Sequence, residues 1–245
     1  MKASIRVLLI GAAGRMGQAI SKAAEAQTEL TISARCDLGD PIEEAIGNCD
    51  VVIDFSHTNA TEQNCKACLT SSKPLVVGTT GQSAEQLRTI EKTAKSIPVL
   101  LAANFSIGVN TLFWLTRKAA EMLGDGFDLE VIETHHRLKK DAPSGTAKRL
   151  AQILAEARGL EERNYAHGRE GLIGERPPNE IGIHSIRAGD VVGDHTVIFA
   201  THGERLELTH KASSRETFAV GALRAAQWIV DKPARLYDME DVLGL

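Results

Sequence analysis

Aromatic residues and long apolar runs are both scarce in this sequence. Only 4% of the 245 residues are Phe, Trp or Tyr, although 43% are hydrophobic. The core must therefore be mostly aliphatic, which suits helices packed on a parallel sheet. No apolar run approaches the ~18 residues that a membrane span needs. The apolar stretch at the N-terminus covers about six residues and leads directly into glycines, so it predicts a first β-strand and no signal peptide.

Cysteine and excess positive charge are sparse as well. The four cysteines all lie in the first 70 residues, which is no disulfide framework and favours a reducing cytoplasm. Cys65 and Cys68 form a single C-x-x-C pair with no second pair to complete a zinc site, so we predict no metal. The formal net charge of −4 argues against a nucleic-acid partner.

Short aliphatic runs alternate with helical patterns over the first hundred residues. The run SAEQLRTIEKTAK predicts a helix with Ser83 as the N-cap and Gln86 at the capping-box position. Near-continuous apolar strands separated by helices are typical of a doubly wound parallel sheet with both faces covered. The predicted strands are 5–10, 30–36, 51–55, 74–80 and 97–104.

The pattern changes after Asn110. A helix, a strand over DLEVIETHH, a second helix after Pro143 and two strand-like runs at 181–189 and 195–203, which precede ERLELTHKA, predict an α+β unit with a mixed or antiparallel sheet. The last helix, before Pro233, carries an apolar stripe that could pack on the first sheet. We therefore expect an α/β Rossmann-like domain from residues 1–106 plus 216–245, and a second α+β domain from residues 107–215.

Residues 10–17, IGAAGRMG, place three glycines at G-x-x-G-x-x-G spacing between the first strand and a helix. Glycine allows a tight turn and a close approach to a pyrophosphate, whose charge a helix N-terminus favours. Asp37 follows the second strand, where a dinucleotide site places the acid that binds a ribose hydroxyl. A carboxylate there repels a 2′-phosphate, so NADH is favoured. NADPH stays open because Arg15 or Arg35 could reach a phosphate.

Residues 133–149 read ETHHRLKKDAPSGTAKR and combine proton carriers, cations and a helix start. Successive strand residues face opposite sides, so only one of His135 and His136 can easily face a given pocket. Ser144 can cap a helix whose first N–H groups would bind a carboxylate, and Gly145 would let that anion approach. The stretch therefore predicts a site for a small acid that must be protonated. A basic surface strand followed by an ordinary capped helix is the alternative.

The sequence resembles the 4-hydroxy-tetrahydrodipicolinate (dihydrodipicolinate) reductase family of bacterial and plant lysine biosynthesis. The resemblance runs in order along nearly the whole chain, and the block at 133–147 is its most specific part. The matching segments are GAAGRMG (11–17), VVIDFSH (51–57), VVGTTG (76–81), AANFSIGVN (102–110), ETHHRLKKDAPSGTA (133–147) and SRETFAVGAL (214–223).

The resemblance implies a nicotinamide-dependent oxidoreductase that reduces a cyclic, unsaturated dicarboxylic acid in diaminopimelate and lysine biosynthesis. His135 would be the proton donor or acceptor and Lys139 a proton donor. His136, Gly145 and Thr146 would bind substrate. A cytoplasmic homotetramer, formed through the second domain, is also implied. The implied cofactor-binding residues are Gly11, Ala12, Ala13, Gly14, Arg15, Met16, Gly17, Asp37, Gly78, Thr79, Thr80, Ala102, Ala103, Asn104 and Phe105.

Two other functions compete with this one. Another small imine or keto-acid reductase, such as an aspartate dehydrogenase, would lack the paired histidines and the Pro-Ser-Gly-Thr turn. A non-catalytic NAD(H) sensor would have no reason to carry His135 and Lys139. Arg187 and Arg215 could either bind substrate carboxylates or form ordinary ion pairs, and the sequence leaves both roles open. The histidines outside 133–149, among them His195, lack metal spacing and are expected to be structural.

Overall fold

The fold comes from a computed structural model and is described for residues 4–245. Its strands and helices follow one another with short connections, apart from the segment between His167 and Ile181. In chain order the elements are β1 (Ile5–Ile10), α1 (Arg15–Glu25), β2 (Leu30–Cys36), α2 (Ile42–Ala45), β3 (Val51–Asp54), α3 (Thr61–Thr70), β4 (Leu75–Val77), α4 (Ala84–Ala94), β5 (Val99–Leu101), α5 (Ile107–Leu123), β6 (Asp128–His135), α6 (Gly145–Arg158), β7 (Tyr165–His167), β8 (Ile181–Arg187), β9 (Gly193–Thr201), β10 (Glu204–Ala212), α7 (Glu216–Ile229), β11 (Leu236–Tyr237) and α8 (Met239–Leu243).

The described chain divides into two compact units. One runs to Ile107 and resumes at Arg215, and the other is Gly108–Ser214. Each contains one sheet, and the two units are described separately here. None of the helices among residues 4–245 has the length and apolarity of a membrane span.

The first unit is built on a six-stranded sheet in the order β11-β5-β4-β3-β1-β2, with parallel pairing throughout. Its central strands are apolar on both faces, and β3 and β4 are buried at every position. One core cluster packs α1, α7 and α8 on one face, and another packs α2, α3 and α4 on the other. This confirms the Rossmann-like sheet and shows that α7 packs on it as expected.

Strand order reverses between β1 and β3, because the chain goes first to β2 on one side and then to β3 on the other. In open α/β sheets the strand ends at such a reversal leave a crevice for ligands. Here that crevice is bounded by the residues after β1, β2 and β3. The glycine turn and Asp37 are therefore placed at the same edge of the sheet.

The second unit is built on a five-stranded sheet in the order β10-β9-β6-β8-β7. Strands β6, β8 and β7 are parallel, whereas β9 and β10 run antiparallel to their neighbours, so the sheet is mixed. Helices α5 and α6 pack with it in one apolar cluster. The alternation in β6 buries Leu129, Val131, Glu133 and His135 on the same face. That face therefore carries two polar residues at the end of an otherwise apolar row.

Several predicted elements match the structure closely. The predicted strands at 5–10 and 30–36 coincide with β1 and β2. Ser83 and Gln86 form the expected capping box at the start of α4. The predicted runs at 74–80 and 97–104 are too long, since β4 and β5 have three residues each. The excess residues form the turns at the strand ends, where the ligand crevice of such a sheet lies.

Candidate active site

The glycine turn after β1 is held tightly by its own packing. Gly11 has φ +81° and a Cβ there would lie 2.3 Å from the carbonyl oxygen of Phe55. A Cβ on Gly17 would lie 2.2 Å from the carbonyl oxygen of Gly11. Gly14 is the exposed N-cap of α1, and no side chain caps the helix there. The first and third glycines are thus required by the turn, while the second leaves the helix N-terminus open, as a phosphate site requires.

Asp37 is docked against this turn. Its two carboxylate oxygens accept from the N–H of Ala13 at 3.0 and 3.1 Å. Its own N–H donates to the Asp40 carboxylate at 2.7 Å, which closes the turn after β2. Two carboxylates therefore stand beside the glycine turn, whereas Leu38 between them is fully exposed. The placement fits a partner with hydroxyl groups and opposes one with an additional phosphate.

Two neighbouring cavities follow the sheet edge. The larger, of about 740 Å³, is lined by Gly11, Gly14, Asp37 and Asp40 together with Phe55 to Asn64 on the far side. The smaller, of about 480 Å³, is lined by Gly14, Arg15 and Met16 on one side and by Gly78 to Gly81 on the other. Gly14 borders both cavities. An extended two-part ligand could lie across the N-terminus of α1, so the residues fit a dinucleotide.

A buried carboxylate that the sequence analysis did not single out organises the far side of these cavities. Asp54, at the end of β3, is 1% exposed. It accepts from the backbone and hydroxyl of Ser56 at 2.9 and 2.6 Å, from the Thr79 hydroxyl at 3.0 Å and from the Asn64 amide at 2.9 Å. Its carbonyl oxygen also accepts from the N–H groups of Gly78 and Thr79. Asp54 therefore ties the ends of β3 and β4 to helix α3.

The loop after β5 carries four of the predicted cofactor residues, and the last of them is part of the apolar core. Phe105 is 2% exposed, packs on Phe55 with ring centroids 5.3 Å apart, and belongs to the apolar core, as Ala12 does. The Asn104 side chain accepts from the N–H of Ser106 at 2.8 Å. Ala102 and Ala103 connect β5 to this turn. Phe105 and Ala12 thus have structural roles in shaping the loops, whatever backbone contacts they make with a ligand.

In the second unit the polar end of β6 forms one connected network. Glu133 is fully buried, and both its oxygens accept from the Arg187 guanidinium at 2.9 Å. The same carboxylate lies 2.5 Å from His135 Nδ1 and accepts from the N–H of Ser144 at 3.2 Å. Arg187 also donates to the carbonyl oxygen of Asp141 at 2.6 Å. Arg187 is therefore an ion-pair partner of Glu133, which decides one alternative left open by the sequence.

The charges of this network follow from burial and from these bonds. Burial by itself would raise the pKa of Glu133, but hydrogen bonds from Arg187 and His135 outweigh it and lower the pKa to about 2. Burial lowers the pKa of His135 despite the opposing carboxylate, and Lys139 and Arg187 add to the decrease. Near neutral pH, Glu133 is thus ionised and His135 is neutral.

The loop after β6 carries His136, which is predicted to bind substrate, and Lys139, which is predicted to donate a proton. His136 follows the last residue of the strand, is half-buried, and its Nδ1 has no hydrogen-bond partner within residues 4–245. The Lys139 ammonium lies 3.0 Å from the Asp141 carboxylate. As expected, the two histidines differ: His135 belongs to the strand and His136 to the loop that follows it.

Ser144 caps helix α6 as the sequence predicted. Its hydroxyl oxygen accepts from the N–H of Ala147 at 3.2 Å. A Cβ on Gly145 would meet nothing within 4 Å, so the space in front of this helix start is open. Thr146 lies in the same first turn. The helix start thus has the form of an anion cradle next to His135 and Lys139 in the chain.

His195, which the sequence analysis expected to be structural, packs against both Ser144 and His135. Its Nε2 lies 3.0 Å from the Ser144 hydroxyl, and its ring packs edge-on against His135 with centroids 5.1 Å apart. Burial, followed by the proximity of His135, lowers the pKa of His195 to about 3. His195 is therefore a neutral imidazole that supports the cap residue of α6.

The signal that could have revealed Glu133 is its position. An acid in the row Leu129, Val131, Glu133, His135 falls on the face that the alternation predicts to be buried. A buried carboxylate two residues before a histidine on the same strand face can reach that histidine. Arg187 and His195 lie 54 and 51 residues from their partners, so no local pattern reveals these pairs.

The comparisons with known proteins match both halves of the chain. The family model described as "Dihydrodipicolinate reductase, N-terminus" matches residues 5–105, and "Dihydrodipicolinate reductase, C-terminus" matches residues 108–243. The chain belongs to the dihydrodipicolinate reductase family.

Curated relatives of this family align over almost the full length. A protein of Akkermansia muciniphila named 4-hydroxy-tetrahydrodipicolinate reductase is 54% identical over 245 residues, which cover 98% of each chain. One of Halorhodospira halophila with the same name is 45% identical over 266 residues, which cover 99% of this chain and all of the relative.

Solved structures agree with the fold. Dihydrodipicolinate reductase from Paenisporosarcina sp. TG-14, solved with dipicolinate bound, is 26% identical with a TM-score of 0.80, covering 96% of this chain and 98% of that one. A dehydrogenase of Thermotoga maritima, at 14% identity and a TM-score of 0.65 over 97% and 92% of the chains, shares the fold alone.

Proposed function

We propose that this chain is a nicotinamide-dependent reductase that converts 4-hydroxy-tetrahydrodipicolinate into tetrahydrodipicolinate in diaminopimelate and lysine biosynthesis. The family and the curated relatives support the reaction. The observation that carries the proposal is the end of β6, where a neutral imidazole, an ammonium group and an open helix start follow one another within a dozen residues. Such a group of residues suits an anionic substrate that must take up a proton.

The residues of the second unit have distinct roles in this proposal. The start of α6 at Gly145 and Thr146, together with His136, binds a substrate carboxylate. The 4-hydroxyl group of the substrate would leave as water, the reduced nicotinamide, when bound, would supply a hydride to the ring, and the electron-rich ring carbon that results would be protonated. Lys139 holds a proton at Nζ that it can deliver, and His135 acts beside it as proton donor or acceptor. General acid–base catalysis of this kind contributes roughly 10²–10⁴-fold.

The glycine turn and the loops around the two cavities form the proposed dinucleotide site of the first unit. Residues 11–17 and 78–80 would hold the phosphates, and residues 102–105 would complete the site. Asp37 would bind a ribose hydroxyl, so NADH is preferred, and Leu38 offers no cation for a 2′-phosphate. Arg15, which lines the smaller cavity, leaves some use of NADPH open.

We also propose a cytoplasmic homotetramer assembled through the second unit. Strands β8 and β9 are inner strands of its sheet, and the edges of the sheet are β7 and β10. An interface would therefore use one edge or one face of the sheet. Leu206 on β10 and Leu172 in the long connection before β8 are exposed apolar side chains that a partner subunit would cover.

The proposal is tested by following oxidation of NADH or NADPH while the substrate is generated from aspartate semialdehyde and pyruvate by the preceding synthase. Oxidation should require the synthase, should be faster with NADH, and should fall roughly 10²-fold or more in His135→Ala and Lys139→Met. Lys140→Met is the matched control, because Lys140 is the exposed neighbour of Lys139 and should behave as the unaltered enzyme.

Two outcomes of this experiment would contradict parts of the proposal. No oxidation with either cofactor, although NADH binds, would exclude the reductase and favour a non-catalytic NAD(H) sensor. Equal losses in Lys139→Met and Lys140→Met would remove Lys139 from its proposed role while leaving the reaction itself in place.

A further inference from the structure

The end of β6 carries a buried pair, Glu133 and His135, whose arrangement decides which ring nitrogen of the histidine holds its proton. Glu133 Oε2 lies 2.5 Å from His135 Nδ1, and the carboxylate is fully buried. An ionised carboxylate only accepts hydrogen bonds, so the proton between these atoms belongs to the imidazole. In a neutral imidazole the other nitrogen, Nε2, is then left with a lone pair.

The charges around His135 favour this neutral form over imidazolium. On its own strand it faces Glu133, from β8 Arg187, from β9 His195, and from the following loop Lys139. The charge of Glu133 is already balanced by its bidentate ion pair with Arg187. A proton added to His135 would therefore place a third cation near Lys139 and Arg187 in a buried setting.

The other side of the ring is kept clear by a glycine. A Cβ on Gly193 would lie 3.0 Å from His135 Nε2 and 3.4 Å from Cδ2. Gly193 does not have a positive φ, so the backbone does not demand glycine at this position. The absence of a side chain therefore leaves space directly beside the nitrogen that carries the lone pair.

We propose that Glu133 is a positioning residue that fixes His135 as the Nδ1–H tautomer. The lone pair on Nε2 then accepts the ring-carbon proton that leaves with the 4-hydroxyl group as water, and Lys139 donates the proton that the ring takes up after hydride transfer. This inference rests on the proposed reductase function and makes its acid–base roles specific. Glu133 touches no reacting atom. It acts through His135, and it also accepts from the N–H of Ser144 and so connects the imidazole to the start of α6.

The first test uses the unaltered protein and needs no cofactor. With ¹⁵N-labelled histidine, His135 near neutral pH should show a pyrrole-type Nδ1 and a pyridine-type Nε2, assigned by loss of the signals in His135→Asn. A pyridine-type Nδ1, or two pyrrole-type nitrogens as in imidazolium, overturns the proposal whether or not the chain proves to be a reductase.

The second test changes the carboxylate. In Glu133→Gln the amide oxygen should stay with Arg187, so its NH₂ group must donate to Nδ1 and move the ring proton to Nε2. We expect the opposite ¹⁵N pattern, a kcat lower by roughly 10²–10⁴-fold, and a shifted pH–rate profile. Glu133→Asp, which keeps the charge, should recover part of the rate. A lower melting temperature with unchanged tautomer and pH profile would reduce Glu133 to a structural residue and refute the proposal.

The chain provides a matched control on the same strand. Like Glu133, Glu130 is a carboxylate bound to a histidine and to arginine, here His184, Arg169 and Arg176, but it is half-buried and lies on the opposite face of β6. Glu130→Gln should lower stability and leave the His135 tautomer and the shape of the pH profile unchanged. A tautomer change in this control would show that any loss of charge in the sheet has the effect, which contradicts a specific role of Glu133.

A further variant addresses the space beside Nε2 without altering the network. Gly193→Ala should lower kcat/KM about tenfold or more, because the methyl group occupies the approach to the lone pair, while the ¹⁵N pattern remains that of the unaltered protein. Unchanged kinetics in a folded Gly193→Ala protein would show that nothing approaches His135 from this side, and would contradict its role as acceptor.

Discussion

Asn64 donates from its side-chain amide to the buried Asp54 carboxylate over 2.9 Å, which joins helix α3 to the end of β3 at the rim of the larger cavity. The other amide atom, Asn64 Oδ1, is buried without a hydrogen-bond partner among the described residues. Because the Ser56 and Thr79 hydroxyls depend on the same carboxylate, Asp54 holds two of the proposed cofactor loops in place.

Removing this carboxylate should weaken cofactor binding. Asp54→Ala leaves four donors, on Ser56, Asn64 and Thr79, without their acceptor. A buried donor without a partner costs about 1–3 kcal/mol, so we expect lower stability and a KM for NADH raised roughly tenfold or more. Asp54→Asn should be mild, since the Asn64 amide can rotate and offer its unpaired oxygen. Asp50→Ala, at the opposite end of β3 in an exposed pair with Arg6, is the control and should leave KM unchanged. Similar KM values for Asp54→Ala and Asp50→Ala would contradict this role.

The third glycine of the turn after β1 should tolerate no side chain. Gly17→Ala places a methyl group 2.2 Å from the Gly11 carbonyl oxygen, so the turn and α1 must separate, at about 1–3 kcal/mol or more. We expect a lower unfolding temperature and loss of NADH binding, measured by calorimetry and by titration. Gly47→Ala is the control, because a Cβ there meets nothing within 4 Å. Normal NADH binding by Gly17→Ala would show that the close approach at the turn is not needed.

Asp37 should decide between the two nicotinamide cofactors. A hydrogen bond to a charged group is worth about 1.5–3 kcal/mol, so Asp37→Ala should raise the KM for NADH roughly ten- to hundredfold and raise that for NADPH much less. The ratio of kcat/KM for the two cofactors is the measurement. Glu44→Ala, an exposed acid in the neighbouring helix α2, should leave the ratio unchanged. An unaltered preference in Asp37→Ala would place the determinant elsewhere.

His195 should make the protein less stable as pH falls. Its pKa is about 3 in the folded chain, against about 6.5 when unfolded. Between these values the unfolded chain binds one more proton, so the free energy of unfolding decreases on acidification. From about pH 7 to about pH 5 this one group removes about 2 kcal/mol. Urea unfolding across that range should show a smaller decrease in His195→Gln.

His202→Gln is the control for this measurement, since His202 is exposed in the turn between β9 and β10. Its unfolding free energy should depend on pH as that of the unaltered protein does. If His195→Gln keeps the full pH dependence, the acid sensitivity comes from other groups and His195 is not buried as a neutral imidazole in solution.

Much of the architecture follows from local patterns. The apolar runs at 5–10 and 30–36 coincide with strands because burial on one or two faces requires their periodicity, and the capping box at Ser83 forms from residues only three apart. The turn at residues 11–17 and the cap at Ser144 are equally local. These features depend on steric limits and hydrogen bonds within a few residues, so the sequence by itself determined them.

The contacts between residues far apart in the chain depend on the register of the strands in each sheet. Alternation shows that Glu133 and His135 share a face, but only the pairing of β6 with β8 and β9 brings Arg187 and His195 to them. In the first unit, the parallel pairing of β3 with β4 brings Thr79 to Asp54. Partners more than 20 residues apart meet only when strands align, because a shift of one residue would turn each side chain to the opposite face. The sequence thus determined the local elements and pointed to the residues proposed to carry the chemistry, whereas tertiary pairing decided which groups surround them and in which orientation.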